Sequence, residues 1–352
     1  MSRFFLERYK NLKSYVPGEQ PQDFSKFIKL NTNEMPYPPS QKVIDAIDAM
    51  QLLKLNLYPP VEFNSLKTKI ADFYDISREN IFLSNGSDEI LSFIFLGFFR
   101  NGAEVAFPDI TYGFYKVYAQ LYSSNANIIP LSSDFTININ DYNNIGKNIV
   151  IANPNAPTGI CLSLLDIEKI VKGNKDNLVI IDEAYIDFGG ESAVPLIKKY
   201  DNLLVVQTFS KSRSLAGARL GFAMGNSELI DDLRKIKYST NPYNVNRLTL
   251  TAGEAAFDDD VYFKSCCKKI SETREYLTKE LESLGFFVLN SKANFIFAKP
   301  FNITASELYL KLKEKGVLIR YFKQERIKNF VRISIGTKEE TDILLKEIRG
   351  II

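Results

Sequence analysis

From about residue 80 to residue 225 the chain repeats one pattern: a short apolar run that stops abruptly on polar residues, then a helical stretch. Ile81-Phe-Leu83, Val105–Phe107, Asn148–Ala152, Leu178–Ile181 and the run opening at Leu203 are of this kind. Short runs that are apolar throughout read as strands buried on both faces, and strands alternating with helices pair in parallel. The pattern predicts an α/β fold, with a mainly parallel sheet covered by helices on both sides. Ligands of such sheets collect at the carboxyl ends of the strands. The polar residues that close each run are therefore the first candidates for a site.

Outside that block the rhythm changes. Helices are expected at Ser40–Leu53, with Ser40 as the N-cap, at Asn64–Tyr74 and at Ser227–Tyr238. A long helix, Asp259–Leu284, stops at Gly285. Beyond it, strands at Phe286–Leu289, Phe295–Ala298, Val317–Arg320 and Val331–Ile335 mix with helices near Thr304–Lys315 and Lys338–Arg349. This reads as a smaller α+β domain. The expected division is a large domain over 40–255 and a small one formed by 1–39 with 256–352.

Composition removes whole classes of function. Hydrophobic residues make up 45% and charged residues 24% of the 352, ordinary for a globular protein. A net charge of +2 without a basic block gives no handle for nucleic acid or an anionic membrane. The most apolar stretch, Leu91–Phe99, is too short to span a bilayer, and the first residues lack the pattern of a secretory signal, so a cytoplasmic location is expected. Three cysteines, two of them adjacent, form neither a disulfide framework nor a metal-ligand spacing. The chain has no histidine, which excludes histidine triads, histidine bases and histidine metal sites together; no metal is expected.

The strand exits carry specific chemistry. After Leu203–Val206 come Thr208, Ser210 and Lys211, then Arg219 eight residues later. A desolvated lysine is neutral near pH 7 and attacks an aldehyde to form a Schiff base, and an arginine fork takes a phosphate. Lysine, hydroxyls and arginine together are what a pyridoxal phosphate (PLP) site needs; a solvated loop is the plain alternative. Ser87 and Asp88 open a helix whose free N–H groups suit a phosphate, or they simply cap it. Tyr112 is placed to stack on a flat cofactor, or to pack an ordinary loop. Asn153-Pro-Asn-Ala-Pro-Thr-Gly159 is a stiff loop suited to holding one Asn against a ligand oxygen, or a structural turn. Asp182 would be an expensive lone charge unless it met a cation such as a protonated pyridine nitrogen, and Tyr185 could donate to the ring's phenolate oxygen; capping the next helix is the alternative for Asp182. Arg320 and Arg332, each on a strand of the small domain, need an anion or a route to water. A substrate phosphate or carboxylate would serve, as would structural ion pairs.

In this order, Asn153–Gly159, Asp182-Glu-Ala-Tyr185, Ser210-Lys211 with Gly217-Ala-Arg-Leu-Gly221, and Val331-Arg-Ile-Ser-Ile-Gly-Thr337 resemble the motifs of the fold type I PLP enzymes related to aspartate aminotransferase. Within that family the chain is most similar to the histidinol-phosphate aminotransferases, through nearly its whole length. The resemblance implies an amino-acid biosynthetic aminotransferase that moves an amino group from a donor such as glutamate to a small phosphorylated keto compound. Lys211 would hold PLP and shuttle the proton, Asp182 would pair with the ring nitrogen, Tyr185 with the phenolate oxygen, and Tyr112 would stack. Ser87, Asp88, Thr208, Ser210 and Arg219 would form the phosphate cradle. Tyr58 would reach the cofactor of a second copy, implying a homodimer with shared sites, and Arg320 and Arg332 would bind the anionic substrate. Ala156 stands where the family often has Asn, so the ring contact would pass to Asn155. The rival is a decarboxylase of O-phosphothreonine or O-phosphoserine, which resembles the same family. A non-catalytic PLP-binding regulator is a third reading, disfavoured because no DNA-binding domain fits before Leu30.

Overall fold

The computed structural model describes residues 2–23 and 26–352, without the side chains of residues 49 and 50. Thirteen strands occur among them: β1 (Ile28–Lys29), β2 (Ile81–Ser84), β3 (Glu104–Pro108), β4 (Asn125–Ile129), β5 (Asn148–Ala152), β6 (Val179–Asp182), β7 (Leu203–Thr208), β8 (Gly221–Gly225), β9 (Phe286–Val288), β10 (Phe295–Pro300), β11 (Val317–Leu318), β12 (Arg320–Tyr321) and β13 (Val331–Ser334). Seven form one sheet in the order β2-β8-β7-β6-β5-β3-β4. The run from β7 to β4 is parallel, and β8 lies antiparallel to both its neighbours.

Side-chain alternation explains why the central runs are apolar at every position. Ile149, Ile151, Val179, Ile181, Leu203 and Val205 pack into a core on one face. Val150, Ile180, Leu204 and Val206, the residues between them, pack into a second core on the other. Each such side chain contributes about 1.5–3 kcal/mol when fully buried, so a charge at any of these positions would break the sheet.

A smaller antiparallel sheet has the order β12-β13-β10-β9, and β1 pairs in parallel with β11. Leu30 therefore packs in the same core as Ile296, Ile333 and Leu345. Two helices of this region begin on reciprocal caps, Thr304 with Glu307 and Thr337 with Glu340.

Several expected elements differ in detail. The single helix over 40–53 is two short ones, Gln41–Ala46 and Ala49–Leu52. Val43 is buried while Ile44 and Ile47 are exposed, so among the described side chains no continuous apolar stripe runs through the segment. Ser40 has cap-like backbone angles but makes no capping hydrogen bond through its side chain. The strand Val317–Arg320 is cut at Ile319: β11 joins β1, and β12 crosses to pair with β13. Edge strand β4, half polar and partly exposed, lacks the apolar signature of the buried strands.

Candidate active site

A cavity of about 590 Å³ lies over the carboxyl ends of β5, β6 and β7, and the small sheet closes its far side. Its floor is built where the large sheet stops. β6 ends on Asp182, which is 4% exposed. One carboxylate oxygen accepts from the Tyr115 hydroxyl at 2.7 Å; the other is buried with no partner. Burial pushes this acid up to about 6, with the Tyr115 bond opposing the shift. A buried carboxylate with a free lone pair is a site for a cation or a strong donor.

Lys211 follows β7 by three residues. Its amine donates to the Thr32 carbonyl at 3.1 Å and lies 5.7 Å from the centre of the Tyr185 ring. Burial, and then the positive field of Arg332, lower its pKa to about 8. The Tyr185 hydroxyl accepts from Asn33 at 3.2 Å.

The third corner of the floor is the start of the helix Gly86–Gly97, whose first-turn amides have no acceptor within the helix. Glu89 reaches back to the Asn85 amide at 2.8 Å and fixes the turn. Gly221 starts β8 between the last residues of β2 and β7. A Cβ there would lie 2.5 Å from the Ser87 nitrogen, so only glycine lets the strands close around this turn. The Arg219 guanidinium rests above Gly86 and binds Asp88 at 3.1 Å, while Tyr112 donates to the other oxygen of Asp88 at 2.7 Å. The Asp88 carboxylate thus aims an arginine and a tyrosine; an anion in the cradle would meet the backbone N–H groups instead. Thr208 and Ser210, hydrogen-bonded at 3.0 Å, complete it.

The rim comes from elsewhere. Arg320 and Arg332 stand directly opposite each other across β12 and β13. Like charges so placed repel unless an anion joins them. Arg320 donates to the carbonyls of Val16 and Pro17, both at 3.1 Å, and Arg332 to Asn31 at 2.8 Å. The Arg332 Nε is buried without a partner, and burial lowers the pKa of this guanidinium.

The profile of the family described as "Aminotransferase class I and II" matches residues 25–348. The chain belongs to the class I and II aminotransferases. Among curated relatives, the "Histidinol-phosphate aminotransferase" of Brachyspira hyodysenteriae is 55% identical over 353 residues, covering 100% of this chain and 99% of that one. That of Clostridium acetobutylicum is 52% identical and fully covered on both sides. In fold, the histidinol-phosphate aminotransferase of Sinorhizobium meliloti, solved in complex with pyridoxal-5'-phosphate, matches with a TM-score of 0.86 at 22% identity, covering 100% of each chain.

In this aminotransferase the cavity wall brings together Ser87, Asp88, Tyr112, Asp182, Tyr185, Thr208, Ser210, Lys211, Arg219, Arg320 and Arg332. Two expected residues lie outside it. Asn155 is buried with its amide turned away, donating to the Ile110 carbonyl at 3.0 Å and to Thr158 at 3.1 Å and accepting from Thr111 at 2.9 Å. It braces the loop before Tyr112, while Ala156 and Pro157 form the wall. Tyr58 is 76% exposed and stacks on Tyr243 at 4.4 Å between ring centres.

Other wall residues gave no local signal. Residues 13–18 cross the mouth of the cavity as a strap, with Tyr15 stacked on Phe114 at 4.3 Å. Asn33, at φ +56°, is tied to the small sheet by reciprocal bonds with Ser334, both 2.9 Å. The Asn33–Ser334 bonds join residues 301 positions apart, and neither the strap nor the stretch around Asn33 has a periodicity to read.

Proposed function

We propose that this aminotransferase uses PLP to exchange an amino group between a donor such as glutamate and a small phosphorylated keto compound, with histidinol phosphate and imidazole acetol phosphate as the leading pair. The observation that carries the reading is one cavity uniting a buried carboxylate with one oxygen unpartnered, a lysine of lowered pKa, a helix-start cradle and a facing pair of arginines. The names and high identity of the curated relatives point to the substrate.

The donors present suit the cofactor. Asp182 has one oxygen free to accept from a ring N–H and would keep that nitrogen protonated. The first-turn amides at Ser87, with Arg219, Thr208 and Ser210, would hold the phosphate, and Lys211 would carry the aldehyde. Tyr112 would cover the ring and Tyr185 would face its phenolate oxygen. When bound, PLP supplies an electron sink that makes the substrate Cα–H acidic. Lys211 is the base for that proton: a pKa near 8 leaves about a tenth of its amine neutral at pH 7 and about half at pH 8, far more than an ordinary lysine. Arg320 and Arg332 orient the substrate through its phosphate or carboxylate, exchanging neutral carbonyl partners for a charge-assisted bond. The lobe formed by 1–39 and 256–352 would bring these arginines over the lobe formed by 40–255. In a homodimer Tyr58 would serve the cofactor of the other copy.

The test is to load the protein with PLP and follow its visible absorbance against amine donors and phosphorylated acceptors. Acceptor-dependent formation of 2-oxoglutarate from glutamate is expected. Carbon dioxide released from O-phosphothreonine or O-phosphoserine without any acceptor would overturn the assignment, and PLP binding without turnover would leave only a regulator.

A further inference from the structure

One basic residue between the two rim arginines faces away from the cavity. Arg326 lies on the turn Glu325–Ile327, between β12 and β13, and is not part of the cavity wall. Its guanidinium crosses to the large sheet. One arm binds the Asp109 carboxylate at 2.5 Å, and the other reaches the carbonyls of Leu131 at 2.8 Å and Ser132 at 3.3 Å. The receiving side is rigid: Asp109 also accepts from the Leu131 amide, and its own N–H bonds Ile129 at the end of β4, both at 2.9 Å.

Apolar packing backs the contact. Ile110, Leu131 and Phe135 from the large-sheet side meet Leu289, Phe297, Ile327 and Phe330. Phe297 and Phe330 stack at 4.7 Å with an 11° tilt. Exposed ion pairs contribute little alone. Here a planar fork spans a carboxylate that is only 16% exposed and two carbonyls, a geometry a lysine cannot copy.

What the fork joins is informative. Asp109 is followed by Ile110, Thr111 and Tyr112, one wall of the cavity; Arg326 sits among Phe322, Gln324 and Ile327, the facing wall. We propose that Arg326 is a positioning residue for substrate length: it fixes the separation between the Tyr112 wall and the segment that carries Arg320. The inference rests on the phosphorylated-ketone reading of the cavity.

The experiment compares the holoenzyme with Arg326→Ala, Arg326→Lys and Asp109→Asn, using phosphorylated ketones that differ by one methylene between carbonyl and phosphate. Wild type should discriminate between them. Arg326→Ala should flatten the ratio of their kcat/KM values by about 10-fold, mostly through KM, and Arg326→Lys should recover only part. Asp109→Asn combined with Arg326→Ala should add little to either alone. Equal losses for every ketone, with the ratio unchanged, would overturn the proposal. Amide hydrogen exchange of the holoenzymes gives a readout independent of turnover. Arg326→Ala should speed exchange at both 109–112 and 322–327, and faster exchange at 322–327 alone would refute the latch. Should wild type use no phosphorylated ketone, the functional reading fails, and the exchange data still decide whether Arg326 couples the walls.

Discussion

Asp182, Lys211 and the Ser87 turn leave the large sheet at the ends of buried strands, whereas Arg320, Arg332 and the strap reach the same cavity from a second sheet and from irregular chain. The means of support differ. On the floor, side chains are held by strand register and by partners such as Tyr115, and Asp182 keeps one oxygen bare. On the rim, both arginines donate to backbone carbonyls, neutral acceptors that an anion displaces readily, and the Arg332 Nε has no partner. A floor so built is preorganised for one resident group. The rim suits partners that come and go.

If that division is right, floor substitutions should destroy chemistry and rim substitutions should change affinity. Lys211→Ala should have the largest effect, more than about 10⁴-fold in kcat. Thermal stability should stay level or rise, because a buried amine with one hydrogen bond is removed. Residual turnover within 100-fold of wild type would move the reaction's base elsewhere.

Asp182→Asn comes next, at about 10³-fold in kcat, and its neighbour supplies the control. Glu183, just past the end of β6, turns away from the cavity to Ser192, the Ala193 amide and Gln207, which satisfy it, so Glu183→Gln should spare activity. Both acids are raised by burial, Asp182 to about 6 and Glu183 to about 7. The folded protein thus holds protons that the unfolded chain has already released. These groups therefore make the cofactor-free protein less stable as pH rises from about 4 to 7. Glu183→Gln should flatten that slope at its upper end and Asp182→Asn at its lower end, in melting temperatures recorded against pH. Loading PLP should erase the Asp182 part alone, because a ring cation favours the ionised acid.

The floor was also the part legible in the sequence. Asp182, Lys211 and Ser87 could be read because each closes an apolar run, and a strand end in a parallel sheet is a place with a known use. Arg320 and Arg332 were visible as charges within strands, but their facing register was not: it depends on the cut at Ile319. Asn155 shows where the reading stopped, since the sequence marks a rigid loop without saying which way an amide turns. Tyr115 and Tyr15 carried no mark at all among 18 tyrosines.

On the rim, Arg332→Ala should raise the KM of an anionic substrate by about 100-fold, the scale of losing one charged partner, with kcat falling less. It should also act on the floor at a distance. Arg332 is the second cause, after burial, of the lowered Lys211 pKa, and removing a nearby cation favours the protonated amine. The rate at which cofactor-free protein takes up PLP should therefore rise with pH through a midpoint near 8 in wild type and a higher one in the variant. An unchanged midpoint would mean that the two arrays are electrostatically independent.

The smallest effect should come from the strap. Gln120 accepts from the Lys13 amide at 3.0 Å and donates to the Asn11 carbonyl at 2.7 Å, pinning the segment that carries Tyr15, Val16 and Pro17. Each bond contributes about 1 kcal/mol net, so Gln120→Ala should raise substrate KM by no more than about 30-fold. The strap meets the floor through rings, Tyr15 lying 6.1 Å from Tyr112 between centres. The absorbance of bound PLP and its rate of uptake should then match wild type. A change in either would show that the strap helps hold the cofactor, and the boundary between floor and rim would have to be redrawn beneath Tyr112.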